Sequence, residues 1–278
     1  MNQVPDIITI DLEEWFHGHN YLECTPPSEW DSQESRVEQN SEKLLNLLDK
    51  YEVKATFFVL GWTADRHPEL IKKIHDLGHE IACHSYAHPV LFEMTQQQFS
   101  DDVDRALEAL SQAGIDSVKG YRAPSFTMTP PVYCFRDVLL EKGFTYDCST
   151  FPVKHPRYGQ PNAPRKPFVA DNGLAIIPMT TLRLLGMNFP FSGGGYMRLL
   201  PGFVQPILGK MAKRQGVPVI TYLHPWEVDD KLPECGQSGV LKFRSQGGQS
   251  TTLPKLDKLL QRGDFRTMAE FVENYFTL

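Results

Sequence analysis

The sequence predicts an α/β fold, a single barrel of mostly parallel strands with helices outside it. Short apolar runs rich in β-branched residues alternate with longer amphipathic stretches, which is the pattern of repeated strand and helix units. Seven of the runs look like strands, and this number favours a closed or nearly closed barrel over an open sheet. The 278-residue chain is long enough for one such barrel, and no linker-like stretch divides it.

The predicted elements follow in chain order. Strands are predicted at 7–13, 55–61, 80–84, 118–122, 145–148, 175–180 and 219–224. Helices are predicted at 40–51, 64–77, 95–113, 130–142 and 200–215, and several of them end at a glycine. A Pro-rich stretch at 151–168 predicts an ordered loop, and helical patterns after the polar, Gly-rich stretch 229–252 predict a C-terminal helical extension at 252–278. We expect residues 1–278 to form one domain.

Composition excludes several classes of protein. The 28 basic and 34 acidic residues give a net charge of −6 without a basic block, so nucleic acid is not an expected partner. The five cysteines are scattered without a C-x-x-C pair, which is typical of reduced thiols and excludes a zinc finger. The sequence shows no export signal and no long apolar span. We therefore expect a cytoplasmic protein without a membrane span.

The first strand ends in a cluster of carboxylates. Because side chains alternate along a strand, Asp11 and Glu13 point to one side, and Leu12 and Glu14 point to the other. Two carboxylates aimed at one spot repel each other unless a cation lies between them or one takes a proton. Taken alone, the pair fits a solvated strand end equally well.

Two histidines follow the third strand. His84 and His88 have the i, i+4 spacing that lets two imidazoles bind one metal, although Pro89 disfavours a helical turn at His88. Alone, the spacing also fits coincidence. Together with the Glu13 carboxylate, the imidazoles form the three-ligand pattern of a hydrolytic metal centre.

The fourth and seventh strands also end in candidate site residues. Arg122 follows the fourth strand, where its permanent charge could hold Asp11 ionised or could simply pair at the rim of the barrel. His224 ends the seventh strand, and an imidazole titrates in the range needed to protonate a leaving amine. A structural histidine is the alternative interpretation of His224.

These residues form four motifs in a fixed order: Asp11-x-Glu13, His84-Ser85-x-x-His88, Arg122-x-Pro124 and Leu223-His224. In this order they resemble the motifs of the polysaccharide deacetylase (NodB-homology) family of metal-dependent carbohydrate esterases. Residues 193–201 and 222–227 are similar to the branch associated with exopolysaccharide biosynthesis. The resemblance implies a distorted (β/α)₇ barrel that removes acetyl groups from N-acetylated sugars.

The resemblance also implies a role for each matched residue. Asp11 matches the catalytic base, which Arg122 would steady, and His224 matches the general acid. His84 and His88 match two ligands of one divalent metal ion. Zinc is the first candidate, with iron, cobalt, nickel and manganese as alternatives, because a site of two histidines and a carboxylate accepts several metals.

Two positions depart from the family pattern. Leu12 stands where most members have a second, metal-binding aspartate, so we assign that role to Glu13, with Glu14 as the alternative. Ser125 stands where an aromatic residue usually follows the R-x-P motif, and the resemblance implies that its backbone N–H faces the oxyanion. Asp147 belongs to a partly matching fourth motif and could tune a neighbouring group.

The remaining expectations concern substrate and partners. Pro124, Tyr196 and Trp226 are candidates for sugar binding, and His17 and His19 are candidates for the same cleft. The expected partner is an N-acetylated carbohydrate, and the oligomeric state is open. Two alternatives remain: a hydrolase of another C–N bond, as in a cyclic imide or ureide, and a silent carbohydrate-binding barrel suggested by Leu12.

Overall fold

The computed structural model describes residues 5–155, 158–237 and 239–276. Pro156 and Arg157 of the predicted Pro-rich loop lie outside these residues, as do the last two residues of the predicted C-terminal extension. Across the described residues, every helix is too short or too polar to cross a lipid bilayer.

All seven predicted strands are confirmed, although most of them are shorter than predicted. The strands are β1 (Asp6–Leu12), β2 (Thr56–Val59), β3 (Glu80–Cys83), β4 (Gly120–Tyr121), β5 (Tyr146–Asp147), β6 (Phe168–Val169), β7 (Ala175–Ile176), β8 (Thr181–Leu184), β9 (Met187–Pro190), β10 (Val219–Leu223) and β11 (Phe265–Arg266). The main sheet has the order β10-β1-β2-β3-β4-β5-β7-β6, and β11 pairs with β1. Only the short edge strand β6 is antiparallel within this sheet, whereas β8 and β9 form a separate antiparallel hairpin.

The sheet curls into a distorted barrel, and side chains bridge the gap between β7 and β10. Thr180, just after β7, donates its hydroxyl proton to the carbonyl of Pro218 (2.9 Å) and accepts the N–H of Ile220 in β10 (2.7 Å). A single bridge between Gly193 and Tyr222 continues the contact. β7 and β10 thus approach each other without a full hydrogen-bonded ladder, which accounts for the distortion.

The helices are α1 (Val37–Lys50), α2 (Gly61–Arg66), α3 (Pro68–Asp76), α4 (Gln96–Gln112), α5 (Phe135–Glu141), α6 (Gly194–Leu199), α7 (Val204–Arg214), α8 (Gly239–Gln246), α9 (Thr252–Leu260) and α10 (Met268–Phe276). The helix predicted at 64–77 is in fact two helices, because Pro68 disfavours a helical conformation at His67. The sequence pattern did not predict α6, α8, the hairpin or the short strands β6 and β11.

Strand alternation divides the core into two layers. Even-numbered residues of β1, such as Ile8, Ile10 and Leu12, belong to the cluster that packs against the helices. Ile7 points to the barrel interior with Phe58 of β2. Asp11 continues the inward row toward the carboxyl end of the barrel, so the first strand delivers a carboxylate to the mouth and an apolar residue to the helix layer.

Candidate functional site

A pocket of about 460 Å³ opens at the carboxyl ends of the parallel strands. It is lined by residues from the loops after β1, β3, β4 and β10, and by the start of α6. Those of the predicted site residues that line it are Asp11, Glu13, His84, His88, Ser125, Tyr196, His224 and Trp226. The barrel thus brings together side chains that are more than two hundred positions apart in the sequence.

Glu13, His84 and His88 form the one cluster among the described residues that could hold a metal ion. Their potential ligand atoms all lie within 4.8 Å of one another. Glu13 Oε2 is buried without a hydrogen-bond partner and lies 3.2 Å from His88 Nε2. An unsatisfied carboxylate oxygen facing an imidazole nitrogen is a costly arrangement that a cation between them would relieve.

The histidines have the form that a metal requires. His84 Nδ1 lies 2.7 Å from the carbonyl oxygen of Arg122; a carbonyl only accepts, so Nδ1 carries the proton and Nε2 keeps its lone pair. Burial lowers the pKa of His84 to about 4 and also lowers that of His88 well below its usual value. Both imidazoles are therefore neutral at pH 7, and the donor set fits a divalent cation such as zinc.

Trp226 holds the third candidate ligand. Its indole Nε1 donates to Glu13 Oε1 at 3.2 Å, which leaves Oε2 directed toward His88. Burial raises the pKa of Glu13 to about 7, although His224 and the Trp226 hydrogen bond act in the opposite direction. A bound cation would favour the ionised carboxylate.

The Glu14 carboxylate binds groups at the start of α1. Its carboxylate accepts the backbone N–H of Arg36 (2.9 Å) and of Val37 (3.2 Å), together with the hydroxyl of Ser35. These groups lie at the start of α1, where unpaired N–H donors and the helix dipole favour a negative charge. Glu14 therefore caps a helix on the side of β1 away from Glu13, and the structure favours Glu13 over Glu14 as the metal ligand.

Asp11 is paired with Arg122 inside the barrel. Arg122 Nη1 lies 2.5 Å from Asp11 Oδ1, and the guanidinium also donates to Thr9 Oγ1 and stacks on Phe58 at 4.0 Å. Burial is the largest single effect and opposes the charge of Asp11, but the Arg122 guanidinium together with His84 and His224 outweighs it and lowers the pKa of Asp11. The carboxylate is ionised at neutral pH and keeps Oδ2 for another partner.

His224 has carboxylates on both ring nitrogens. Its Nδ1 lies 3.0 Å from Glu227 Oε2, and its Nε2 lies 3.8 Å from Asp11 Oδ2 and 3.7 Å from Glu13 Oε1. Burial opposes protonation of His224, but Glu13, Glu227 and Asp11 together raise its pKa to about 9. The imidazole is therefore a cation at neutral pH.

Two residues that hold His224 in place, Arg198 and Glu227, were not predicted from the sequence. Arg198 in α6 donates from Nε to Glu227 Oε1 at 2.7 Å. Burial raises the pKa of Glu227, but His224 and Arg198 outweigh burial and leave the pKa below its usual value. Glu227 could have been found from its i+3 position, because it also accepts the backbone N–H of His224 as in a capping box. Arg198 lies in the stretch 193–201 that the family resemblance singled out, but the resemblance assigned it no role.

The loop after β4 presents a backbone donor to the pocket. Ser125 and Phe126 have φ angles of 49° and 55°, which are strained for residues other than glycine. Among the described residues, none accepts a hydrogen bond from the Ser125 N–H. Asp147 supports this loop indirectly, because it binds Ser149, whose hydroxyl oxygen accepts the N–H of Ala123.

Other predicted residues lie elsewhere. Pro124 is buried and is not among the residues that line the pocket, since it opens the short turn that carries Ser125; direct sugar contact by Pro124 stays a prediction. Trp226 stacks on His224 at 4.9 Å and is nearly buried, whereas Tyr196 lies at the open rim. His19 lines the pocket.

His17 does not line the pocket. It is fully buried against the rings of Trp30 (4.4 Å) and Trp62 (4.7 Å), and its Nδ1 accepts the N–H of Glu14. Gly193 packs closely on β10, because a Cβ at this position would lie 2.1 Å from the Tyr222 ring. Gly193, which directly precedes α6, therefore serves close packing there.

Two family models match successive stretches of the chain. Residues 29–146 match a model described as polysaccharide deacetylase. Residues 148–273 match one described as a domain of unknown function, DUF3473. Strands from both stretches join the same sheet.

Known proteins share part of the sequence and the fold. A peptidoglycan-N-acetylglucosamine deacetylase from Bacillus cereus is 35% identical over 88 residues, which cover 32% of this chain and 30% of that protein. A peptidoglycan-N-acetylmuramic acid deacetylase from Bacillus subtilis is 42% identical over 100 residues, 36% of either chain. The match thus spans about a third of each relative. The structure of a putative polysaccharide deacetylase from Mycobacterium smegmatis is 22% identical, with a TM-score of 0.64 over 99% of this chain and 91% of that one, which shows a shared fold.

Proposed function

Because residues 29–146 match a polysaccharide deacetylase model, we propose that the protein is a metal-dependent hydrolase that removes acetyl groups from N-acetylated sugars. The observation that most strongly supports this proposal is the cluster of Glu13, His84 and His88 at the mouth of the barrel. The potential ligand atoms of these residues lie within 4.8 Å of one another. Asp11 and His224 flank the cluster with opposite charges. Paired groups whose pKa values are pushed apart are typical of a base and an acid in one site.

The proposed cofactor is one divalent cation, with zinc as the first candidate. Glu13 and the Nε2 atoms of His84 and His88 would hold it. Bound there, the cation would supply Lewis acidity that polarises the acetyl carbonyl and makes a nearby water more acidic. Three protein ligands leave open positions for substrate, as in hydrolytic zinc sites.

The side chains supply the proton transfers in this proposal. Asp11, kept ionised by Arg122, accepts a proton from the attacking water through its free Oδ2. The Ser125 N–H donates a hydrogen bond to the oxyanion of the tetrahedral intermediate, an interaction worth about 3 to 4 kcal/mol in other hydrolases. His224, kept protonated by Glu227, then donates its Nε2 proton to the departing sugar nitrogen.

The substrate class follows from the family and from the pocket. We propose an N-acetylhexosamine glycan, in line with the peptidoglycan deacetylases among the relatives. The motifs at 193–201 and 222–227 favour a role in exopolysaccharide biosynthesis. We also propose that the two matched stretches work as one domain, since Arg198 and Glu227 of the second support His224 beside ligands of the first.

Acetate release from N-acetylglucosamine oligomers tests the proposal. We expect the purified protein to release acetate with zinc, to lose activity in a chelator and to regain it when zinc is restored. The His84→Ala variant should lose both zinc and activity. Ring opening of a cyclic imide or ureide without acetate release would favour the other C–N hydrolase. Glycan binding in a chelator, without stoichiometric metal, would favour the silent barrel.

A further inference from the structure

Exposed apolar side chains are concentrated in one segment of the chain. Of the thirteen large apolar side chains that are exposed among the described residues, eight lie between positions 172 and 226. These eight are Leu184, Leu185, Met187, Phe189, Tyr196, Leu199, Phe203 and Ile207. Exposed apolar residues scattered singly are ordinary, whereas their concentration in one segment makes that segment a candidate interaction surface.

The β8–β9 hairpin contributes the outer part of this surface. Leu182 pairs with Phe189 and Leu184 pairs with Met187, so these four side chains share one face of the hairpin. Leu182 is buried in the cluster with residues of α7, whereas the other three remain open to solvent. The apolar face therefore begins at the helix and continues outward beyond the folded core.

The tip of the hairpin is unusual for a turn. Leu185 and Gly186 have φ angles of 50° and 80°, the left-handed conformation of two-residue hairpin turns, where Asn, Asp or Gly normally stands in the first position. Leu185 is nonetheless 97% exposed. Nothing in the fold of the described residues accounts for an apolar side chain in a strained and fully exposed position.

Helix α7 adds a second exposed stripe. Phe203, Ile207, Lys210 and Arg214 are all exposed and recur at intervals of three or four residues, so they lie along one side of the helix. The stripe is apolar at its beginning and cationic at its end. Large apolar groups beside cations are typical of elements that lie in a membrane interface.

The net charge of residues 172–226 is opposite in sign to the net charge of the whole chain. The protein has a net charge of −6, yet no Asp or Glu occurs from 172 to 226, where five Lys and Arg residues occur. Two of the five are neutralised, because Arg198 pairs with Glu227 and Lys213 pairs with Asp6. Among the described residues, no carboxylate pairs with the remaining three, Arg183, Lys210 and Arg214.

We propose that the exposed side chains of the β8–β9 hairpin and of α7, two elements that share the apolar cluster of Leu182 and Ala212, form a surface that docks on an anionic phospholipid bilayer. Its unpaired cations complement lipid phosphates, and its apolar side chains can enter the acyl boundary. A symmetric contact with a second copy would bring the same cations against each other, so charge favours the bilayer.

Vesicle flotation tests the proposal with the intact protein. We expect binding to vesicles of phosphatidylcholine with 30% phosphatidylglycerol (about 3 in 10 lipids anionic), weaker binding at high salt and little binding to pure phosphatidylcholine. A Leu185→Asp/Phe203→Asp double variant should lose binding by more than about tenfold. Val169→Asp is the matched control, because Val169 is 52% exposed but lies outside the surface, and it should bind as the parent protein does.

A second variant keeps the test decisive if the apolar substitutions impair folding. Lys210→Gln/Arg214→Gln should weaken binding about fivefold for each charge removed, while circular dichroism and melting temperature stay unchanged. Absence of binding to the anionic vesicles overturns the proposal. A dimer in light scattering that Leu185→Asp dissociates, without vesicle binding, also overturns it and identifies a second copy as the occupant.

Discussion

The Trp226→Phe variant tests how the indole controls the proposed metal ligand. Phenylalanine keeps an aromatic ring against His224 but removes the Nε1 donor that lies 3.2 Å from Glu13 Oε1. A hydrogen bond to a charged group contributes about 1.5 kcal/mol at the lower end of the range, and its loss corresponds to a rise of about one unit in the pKa of Glu13. The variant should therefore make Glu13 hold its proton more tightly.

The effect on zinc affinity can be worked out from that change. With a Glu13 pKa of about 7, about half of the carboxylates are ionised at pH 7 in the parent protein. One unit more leaves about a tenth ionised, so apparent zinc affinity at pH 7 should fall about fivefold, since zinc binds the deprotonated form. Both proteins are largely ionised at pH 9, so their affinities should converge there.

Competition with a chromophoric chelator from pH 6 to 9 measures this difference. Trp30→Phe is the matched control, because its indole donates to the backbone carbonyl of Thr25 and contacts no proposed ligand. We expect the control to follow the parent curve at every pH. A Trp226→Phe curve that coincides with the parent curve at pH 7 would refute the proposed link between the indole and Glu13.

Three further predictions use single substitutions. Glu13→Gln should lose stoichiometric zinc, whereas Glu14→Gln should keep it and lower only the melting temperature; the reverse result would identify Glu14 as the ligand. Asp11→Asn should keep its zinc while kcat falls at least about a hundredfold, and zinc loss in this variant would mean that Asp11 coordinates the metal. Glu227→Gln should lower the pKa of His224 from about 9 and move the alkaline limb of the pH–rate profile to lower pH; an unmoved limb would argue against His224 as the acid.

Alternation along the first strand made the arrangement of carboxylates predictable. It requires that Asp11 and Glu13 face the interior while Leu12 packs toward the helices, and the structure has this arrangement. The same rule directs Glu14 away from the pocket, but only the structure shows why it lies there. Its partners at the start of α1 come from a loop whose path the sequence does not specify.

Long-range pairings were not predictable from the sequence. Arg198 and Glu227 are separated by twenty-nine positions and meet only because α6 packs beside the turn after β10. The β8–β9 hairpin was missed because Leu185-Gly186 lacks the usual turn residues at its first position.

Anomalous diffraction from crystals grown with zinc tests the proposed metal site itself. We expect one strong peak, with Glu13 and the Nε2 atoms of His84 and His88 each at about 2.0 to 2.2 Å from it. Asp11 should remain paired with Arg122 and outside the coordination sphere. A peak bound by Asp11 in place of Glu13, or no peak at these three residues, would contradict the proposed metal site.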